Sequence, residues 1–274
     1  MKVPPNFIYP DLKPEDYIFG SGQVIGNILR SDGDWRNYLP PAELQRRNGV
    51  ESSACFIEAQ QHAIATIIEE QFDMPDKNFS ARFNLIFADA TTRGGDPIKG
   101  AQTFRDKGLI PEEMLPFSTD IHEWMEFRSF KGANEQDCLN EGKKWLDEWD
   151  VHYDVVVRRE YGLAAKYLKL KDALHFSPIC VSVAQGFDNG KQKPAGLDDT
   201  HLVELVYIDE NNVPYVWDTY GPNFLKKLSA NYSFDFGIRW TVERKTKQAQ
   251  ISILVQILQK LQEWLNLLKG QGMV

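Results

Sequence analysis

Hydrophobic positions in the first half of the chain recur at the spacing of a helix. After Cys55, an apolar side chain returns every three or four residues, at Phe56, Ala59, Ala63, Ile64, Ile67 and Ile68. This spacing places one apolar face on a helix that continues to about Phe72. Two further helices are predicted over 80–90 and 97–107, the second of which stops at a glycine. The charged and aromatic segment 118–150 is predicted to be helical in part.

After residue 150 the pattern changes to short runs of β-branched and aromatic residues. These runs predict strands over 151–157, 178–184, 202–208 and 215–217, with another strand or two within 231–242. A helix is predicted over 161–175. Because helices dominate the first half and strands the second, the fold class is predicted to be α+β with two packed lobes.

The two ends of the chain have a different character. Residues 1–33 are rich in proline, glycine and charge and predict an extended arm, whereas the polar segment 243–250 predicts a linker. An apolar seam with alternating spacings of three and four follows, formed by Ile251, Leu254, Leu258, Leu261, Leu265 and Leu268. It predicts an amphipathic helix over 251–270.

Three roles remain open for this C-terminal helix. Residues 251–268 are predicted to form a homo-oligomer or to bind a partner helix, although fewer than three heptads are marginal for an isolated coiled coil. Docking on its own domain and binding to a membrane surface are the alternatives. The polar face is not strongly basic, which disfavours the membrane.

Composition and charge limit the classes of partner and compartment. The 274 residues carry a net charge of −8 and no basic stripe, so nucleic acid is not expected as a partner. No signal peptide and no segment long enough to span a membrane are predicted. The expected location is cytoplasmic or virus-associated.

The cysteines indicate a reducing compartment. Three are present, Cys55, Cys138 and Cys180, without CxxC or Cys/His ligand spacing, so neither a structural metal site nor any cofactor is predicted. Cys180 lies within an apolar run and is predicted to be a core residue.

Cys55 is the candidate nucleophile. Ser52 and Ser53 are predicted to cap the helix that follows, which places the thiol in the first helical turn. The positive end of the helix dipole favours a thiolate there. The alternative is that Cys55 is simply a small buried hydrophobic residue.

A thiolate nucleophile needs a base, and the base needs an acceptor that orients it. Among the five histidines, His201 opens an apolar strand after a polar loop, whereas His62 lies two turns beyond the thiol. Asp218 follows the next predicted strand. Because a turn near 209–213 joins these two strands, His201 and Asp218 are expected side by side.

The order Cys55, His201, Asp218 resembles the papain family of cysteine peptidases. Four further segments resemble that family: Asp34-Trp35-Arg36, Asn48-Gly49, Gly94-Gly95 followed by 108–117, and Pro178-Ile179-Cys180-Val181-Ser182-Val183. The resemblance covers roughly residues 34–240. It implies a peptidase domain over 34–242, with a helical N-terminal lobe and an antiparallel, β-barrel-like C-terminal lobe.

The resemblance also implies roles for individual residues. Asn48 corresponds to the glutamine of the oxyanion hole, although it is shorter and one residue further from the cysteine. Gly94 and Gly95 correspond to the glycine pair of the substrate cleft, and Ser182 and Leu202 to the pocket for the substrate residue second from the scissile bond.

Three departures from the family accompany these matches. Asp218 stands where the family has asparagine. Relatives such as the bacteriocin leader peptidases also have an aspartate in a Cys-His-Asp triad. Ser52 replaces a cysteine, so the disulfides of the family are absent. The arm before Asp34 is too short for the usual inhibitory pro-domain.

The expected function is hydrolysis of peptide bonds in a peptide or protein substrate through an acyl-enzyme. Two alternatives remain. One is a related Cys-His-Asp enzyme acting as a leader-peptide peptidase, a transglutaminase-like enzyme or a cell-wall amide hydrolase. The other is a non-catalytic scaffold with the same fold.

Overall fold

A computed structural model describes residues 8–10, 12, 18–19, 26–75, 77–184, 193 and 198–245. The helices within this part are α1 (Cys55–Phe72), α2 (Ala81–Phe87), α3 (Pro97–Lys107), α4 (Trp124–Phe127), α5 (Glu135–Glu148) and α6 (Leu163–Leu174). A short hairpin, β1 (Arg46–Arg47) and β2 (Val50–Glu51), precedes α1. The remaining strands are β3 (Trp149–Val157), β4 (Ile179–Val183), β5 (His201–Ile208), β6 (Pro214–Trp217), β7 (Leu225–Lys227) and β8 (Gly237–Arg244).

The later strands form one antiparallel sheet in the order β3-β8-β4-β5-β6-β7. Within the described residues β3 and β7 are the two edges, so the sheet is open and does not close into a barrel. The predicted α+β class, with helices first and antiparallel strands second, is confirmed.

Helix α1 is the central element of the fold. Its apolar pattern predicts one buried face, yet every residue from Cys55 to Ile68 is buried. The reason is that α1 contacts α2 and α3 as well as strands β4, β5 and β8. Its polar side chains therefore lie inside the protein.

The other face of the sheet is covered by α6 and by the segment around Trp35. The Trp35 side chain is fully buried, and its Nε1 donates to the Leu174 carbonyl at the end of α6 (2.7 Å). The sheet thus has an apolar layer on each face, and the chain before α1 contributes to the second one.

Some element bounds differ from the sequence prediction. The helix expected over 80–90 is Ala81–Phe87, and the segment 231–242 supplies a single strand, β8, which continues to Arg244. Strand β7 was missed because three residues, two of them lysines, carry no alternating pattern. The predicted helix over 251–270 and residues 246–250 of the predicted linker lie outside the described residues.

No helix in the part of the chain that the structure describes is both long and apolar enough to cross a membrane.

Candidate active site

Cys55 is the first residue of α1, at the helix end where backbone N–H groups point outward. The N-cap is Ala54, which has no side chain able to cap, so the prediction that Ser52 or Ser53 caps the helix is wrong. The serines instead hold the preceding turn. The Ser52 hydroxyl accepts from the Ala54 N–H (3.2 Å), and Ser53, whose φ is 55°, donates to the Thr92 carbonyl (2.9 Å).

His201 and Asp218 meet at one end of the neighbouring strands β5 and β6. His201 Nε2 lies 2.6 Å from Asp218 Oδ1, and the second carboxylate oxygen of Asp218 is 2.6 Å from Lys226 Nζ on β7. The antiparallel pairing of β5 with β6 brings the start of one strand next to the end of the other. The sequence-based expectation of adjacent residues matches this geometry.

The His201 imidazole also interacts with the Cys55 side chain, which contributes to the pKa shift of the imidazole. Side chains of Cys55, His201 and Asp218 are 0%, 2% and 6% exposed. The three predicted catalytic residues are thus assembled in a site that excludes solvent.

The charges within this site shift the proton equilibria in opposite directions. Burial alone lowers the pKa of His201, but the charges of Asp218 and Cys55 and the hydrogen bonds to both outweigh burial and raise it well above its ordinary value. Burial raises the pKa of Asp218, yet His201 and Lys226 outweigh it and lower that pKa strongly. The site therefore favours an imidazolium paired with a carboxylate.

A cluster of polar residues links the nucleophile turn to the histidine side of the site. Glu51 accepts hydrogen bonds from the Ser53 N–H (3.2 Å), from Gln45 Nε2 (2.7 Å) and from the Tyr220 hydroxyl (3.0 Å). The Tyr220 ring lies 5.0 Å from the His201 ring, centroid to centroid. Glu51 and Tyr220 therefore position the two halves of the site relative to each other.

Gln45 was not identified from the sequence. It is fully buried, and its amide also bonds Tyr220 (3.0 Å) and Thr219 (3.0 Å). The β1–β2 hairpin separates Gln45 from Cys55, so spacing to the cysteine gave no signal for it. The sequence feature that could have indicated Gln45 is a glutamine directly before the short β1–β2 hairpin.

Asn48, the predicted oxyanion donor, lies in the exposed turn between β1 and β2. Its φ is 53°, and its Nδ2 donates to the Ser118 carbonyl (3.2 Å).

Gly94 and Gly95 lie in the loop that holds Ser53 through Thr92. Gly94 closes a tight turn with Thr91 and has a φ of 87°. A Cβ on Gly95 would lie 2.4 Å from the ring of Phe56, the residue after Cys55. Only glycine fits here, so the loop can pack directly against the nucleophile helix.

Ser182 and Leu202, the predicted pocket residues, are both interior. They pair across β4 and β5 and are 0% and 1% exposed. The Ser182 hydroxyl donates to Asp199 (2.6 Å) and accepts from the Phe236 N–H (2.9 Å). Both residues lie next to His201, but their side chains are buried and not exposed in a pocket.

Two further buried groups lie on α1 at helical spacing from Cys55. Glu58 Oε2 and both ring nitrogens of His62 have no hydrogen-bond partner in the described part of the chain. Burial, together with the charges of Glu43 and Glu51, raises the pKa of Glu58 to about 8, and burial lowers the pKa of His62 to about 4. Both groups are therefore neutral near pH 7 and add no net charge to the site.

Sequence comparison alone gives no relatives: no protein-family model matches the chain, and no curated protein matches it. Solved structures do match its fold. Xylellain, a cysteine protease from Xylella fastidiosa, aligns with a TM-score of 0.57 at 17% identity, over 89% of this chain and 97% of its own.

Two plant enzymes align in the same way. The bromelain protease from Ananas comosus, in complex with the E64 inhibitor, has a TM-score of 0.51 and 16% identity over 77% of this chain and 98% of its own. The Carica candamarcensis cysteine protease CMS1MS2, in complex with E-64, has a TM-score of 0.52 and 16% identity over 76% and 96%. The chain therefore has the papain-like fold that the sequence predicted.

Proposed function

We propose that this protein is a cysteine peptidase that hydrolyses peptide bonds through an acyl-enzyme. The observation that carries the proposal is the pair of His201 and Asp218, 2.6 Å apart, beside a cysteine at the start of a central helix. A histidine held by a carboxylate and facing a thiol is the arrangement that nucleophilic catalysis requires.

In the proposed reaction Cys55 Sγ, as the thiolate, forms a bond to the carbonyl carbon of the substrate. The C–N bond then breaks, and the His201 imidazolium gives its proton to the departing amine. Water next gives a proton to His201 while its oxygen bonds to the thioester carbon, and the C–S bond then breaks. This releases the acid and restores the Cys55 thiolate beside the His201 imidazolium. Asp218 keeps the imidazole oriented and its positive charge stabilised throughout.

The oxyanion formed in each step needs donors. We propose the backbone N–H of Cys55 as one of them, because the N–H groups of the first helical turn point out of the N-terminal end of α1. Asn48 serves as the second donor only if its side chain leaves the Ser118 carbonyl, so the role predicted for it requires a movement of the hairpin turn.

The test is covalent labelling with an epoxysuccinyl peptide, read by mass spectrometry on wild type, Cys55→Ala and His201→Ala. We expect one adduct, on Cys55, that both substitutions abolish. Cys138 and Cys180 serve as internal controls, since both are free and buried. Adducts spread over all three thiols, unaffected by His201→Ala, would refute the proposal and favour a non-catalytic scaffold.

A second candidate keeps the mechanism and changes the substrate. An aspartate at 218 and a closed site favour a specialised amide hydrolase, such as a leader-peptide peptidase, over a general endopeptidase. A panel of denatured proteins and dipeptidyl reporters separates the two, because a specialised enzyme that labels on Cys55 leaves the whole panel uncleaved.

A further inference from the structure

The Asp218 carboxylate is shared between two cationic side chains on different strands. Its Oδ1 atom lies 2.6 Å from His201 Nε2 and accepts a second hydrogen bond from the Tyr220 N–H (3.2 Å), and its Oδ2 atom accepts from Lys226 Nζ (2.6 Å). Since the residue is only 6% exposed, the carboxylate depends on these donors rather than on water. Lys226 therefore belongs to the same buried row of hydrogen bonds as the candidate base.

Strand pairing gives Lys226 its position. Strand β7 is three residues long, and its pairing with β6 places it beside the end of that strand. The Asp218 N–H donates to the Phe224 carbonyl (2.9 Å), which ties the residue after β6 to the residue before β7. Because side chains alternate along a strand, the middle residue of β7 lies toward the site, whereas Leu225 and Lys227 are exposed.

Four groups of alternating charge form one row in the reactive state of the proposed function. The charges of the Cys55 thiolate and the His201 imidazolium cancel, so Asp218 by itself would leave one negative charge in excess. The ammonium of Lys226, whose side chain is 13% exposed, cancels that excess. An unbalanced charge at a buried site is costly, because little water is left to solvate it.

The other titratable groups that face this row do not supply the missing positive charge. Glu58 and His62 face it from α1, and both are neutral near pH 7. Glu51 faces it from β2 across the Tyr220 hydroxyl, which donates to the Glu51 carboxylate (3.0 Å). Among the described residues, none of these three places a positive charge on the Asp218 carboxylate.

We propose that Lys226 is a positioning residue that balances the charge of Asp218, so that the His201 imidazolium remains able to give up its proton. The inference rests on the proposed function, in which this proton goes to the leaving amine. Without the ammonium, the carboxylate is unopposed and holds the proton on His201 more tightly. An imidazolium that holds its proton too tightly is a poor acid toward the leaving group.

The experiment follows the His201 imidazole by NMR during a pH titration of full-length protein with ring-labelled histidine. Lys226→Met is expected to raise the pKa of His201 by about one unit, because a unit charge close to the imidazole is lost. Lys226→Gln, which keeps a donor for the carboxylate but carries no charge, should raise the pKa by a similar amount. Lys227→Met is the matched control, since that neighbouring lysine is exposed, and should leave the pKa unchanged.

The same variants test the consequence for the reaction. Labelling of Cys55 by the epoxysuccinyl peptide should slow about threefold in both Lys226 variants, because a more basic imidazole gives up its proton less readily. A His201 pKa that stays at the wild-type value in both variants, or that rises with methionine but not with glutamine, would overturn the proposal, since Lys226 would then not act through its charge. A raised pKa with an unchanged labelling rate would overturn it too. If wild type is never labelled but the pKa rises as expected, the proposed function fails and the charge balance stands.

Discussion

The Asp218 carboxylate interacts with two cationic groups, His201 on one oxygen and Lys226 on the other. A neutral amide at this position, as in papain, can accept from the imidazole but adds no negative charge. At the residue scale the aspartate therefore does more than orient the base, because its charge holds the proton on His201.

Asp218→Asn is expected to keep one acceptor for His201 and to remove this charge. The pKa of His201 should then fall toward its ordinary value, so the imidazolium is lost at lower pH. We expect the alkaline limb of the pH profile for Cys55 alkylation to move down by about one pH unit or more. An unchanged limb would show that the charge of Asp218 does not control the base.

At the scale of elements, helix α1 and the loop at Gly95 are fitted to each other. Phe56 fills the space that a side chain at position 95 would need. The same helix carries polar groups into the interior, where Thr66 donates to Glu204 on β5 (2.9 Å).

Gly95→Ala should push the loop away from Phe56, because the added methyl cannot fit at 2.4 Å from a ring held in the core. We expect a loss of about 1–3 kcal/mol in the free energy of unfolding, typical of overpacking, measured by urea denaturation. Gly162→Ala is the control, since nothing lies within 4 Å of its Cβ position and its φ is negative. Equal stability of the two variants would contradict the packing argument.

The buried Glu204 carboxyl should make the stability of the fold depend on pH. Burial raises its pKa to about 8 from 4.5, so the folded protein keeps the proton while the unfolded chain loses it above pH 4.5. The stabilising contribution of the protonated Glu204 to the free energy of unfolding is therefore complete below pH 4.5 and is lost as the pH rises through 8. Between these values the free energy of unfolding falls by up to about 1.4 kcal/mol per pH unit.

Glu204→Gln should flatten the fall of stability over this range, as followed by urea denaturation at several pH values. The exposed Glu113→Gln should leave the slope as in wild type. A wild-type slope in Glu204→Gln would mean that Glu204 is ionised in the folded protein.

At the scale of the whole molecule, we expect residues 251–268 to determine the oligomeric state. Their apolar seam predicts self-association, and the described chain leads toward it from Lys245, whose N–H donates to the Glu148 carbonyl at the end of α5 (2.7 Å).

We expect the full chain to have a particle mass above the 31.5 kDa of one chain, and a chain that ends at Lys245 to be monomeric. Size-exclusion chromatography with light scattering measures both. A monomeric full chain would exclude self-association and favour docking of the helix on its own domain.

The sequence by itself determined most of the elements and the candidate reacting groups. The period of the apolar residues after Cys55 specified α1, and the strand after His201 and the one before Asp218 specified their adjacency through a short turn. These features depend on residues a few positions apart in the chain, so the local spacing of apolar and polar residues predicts them. The papain-like fold followed from their order along the chain.

Only the tertiary structure decided which distant side chains meet. No periodic pattern in the sequence predicts the contacts of these side chains. They are the link from Glu51 to Tyr220, the burial of Ser182, the exposed turn that carries Asn48 and the position of Tyr9 on Phe236. Each results from contacts between segments far apart in the chain, and such contacts depend on how helix and sheet pack rather than on any local pattern. For the same reason, the sequence identified the candidate catalytic residues but not the groups that position and cover them.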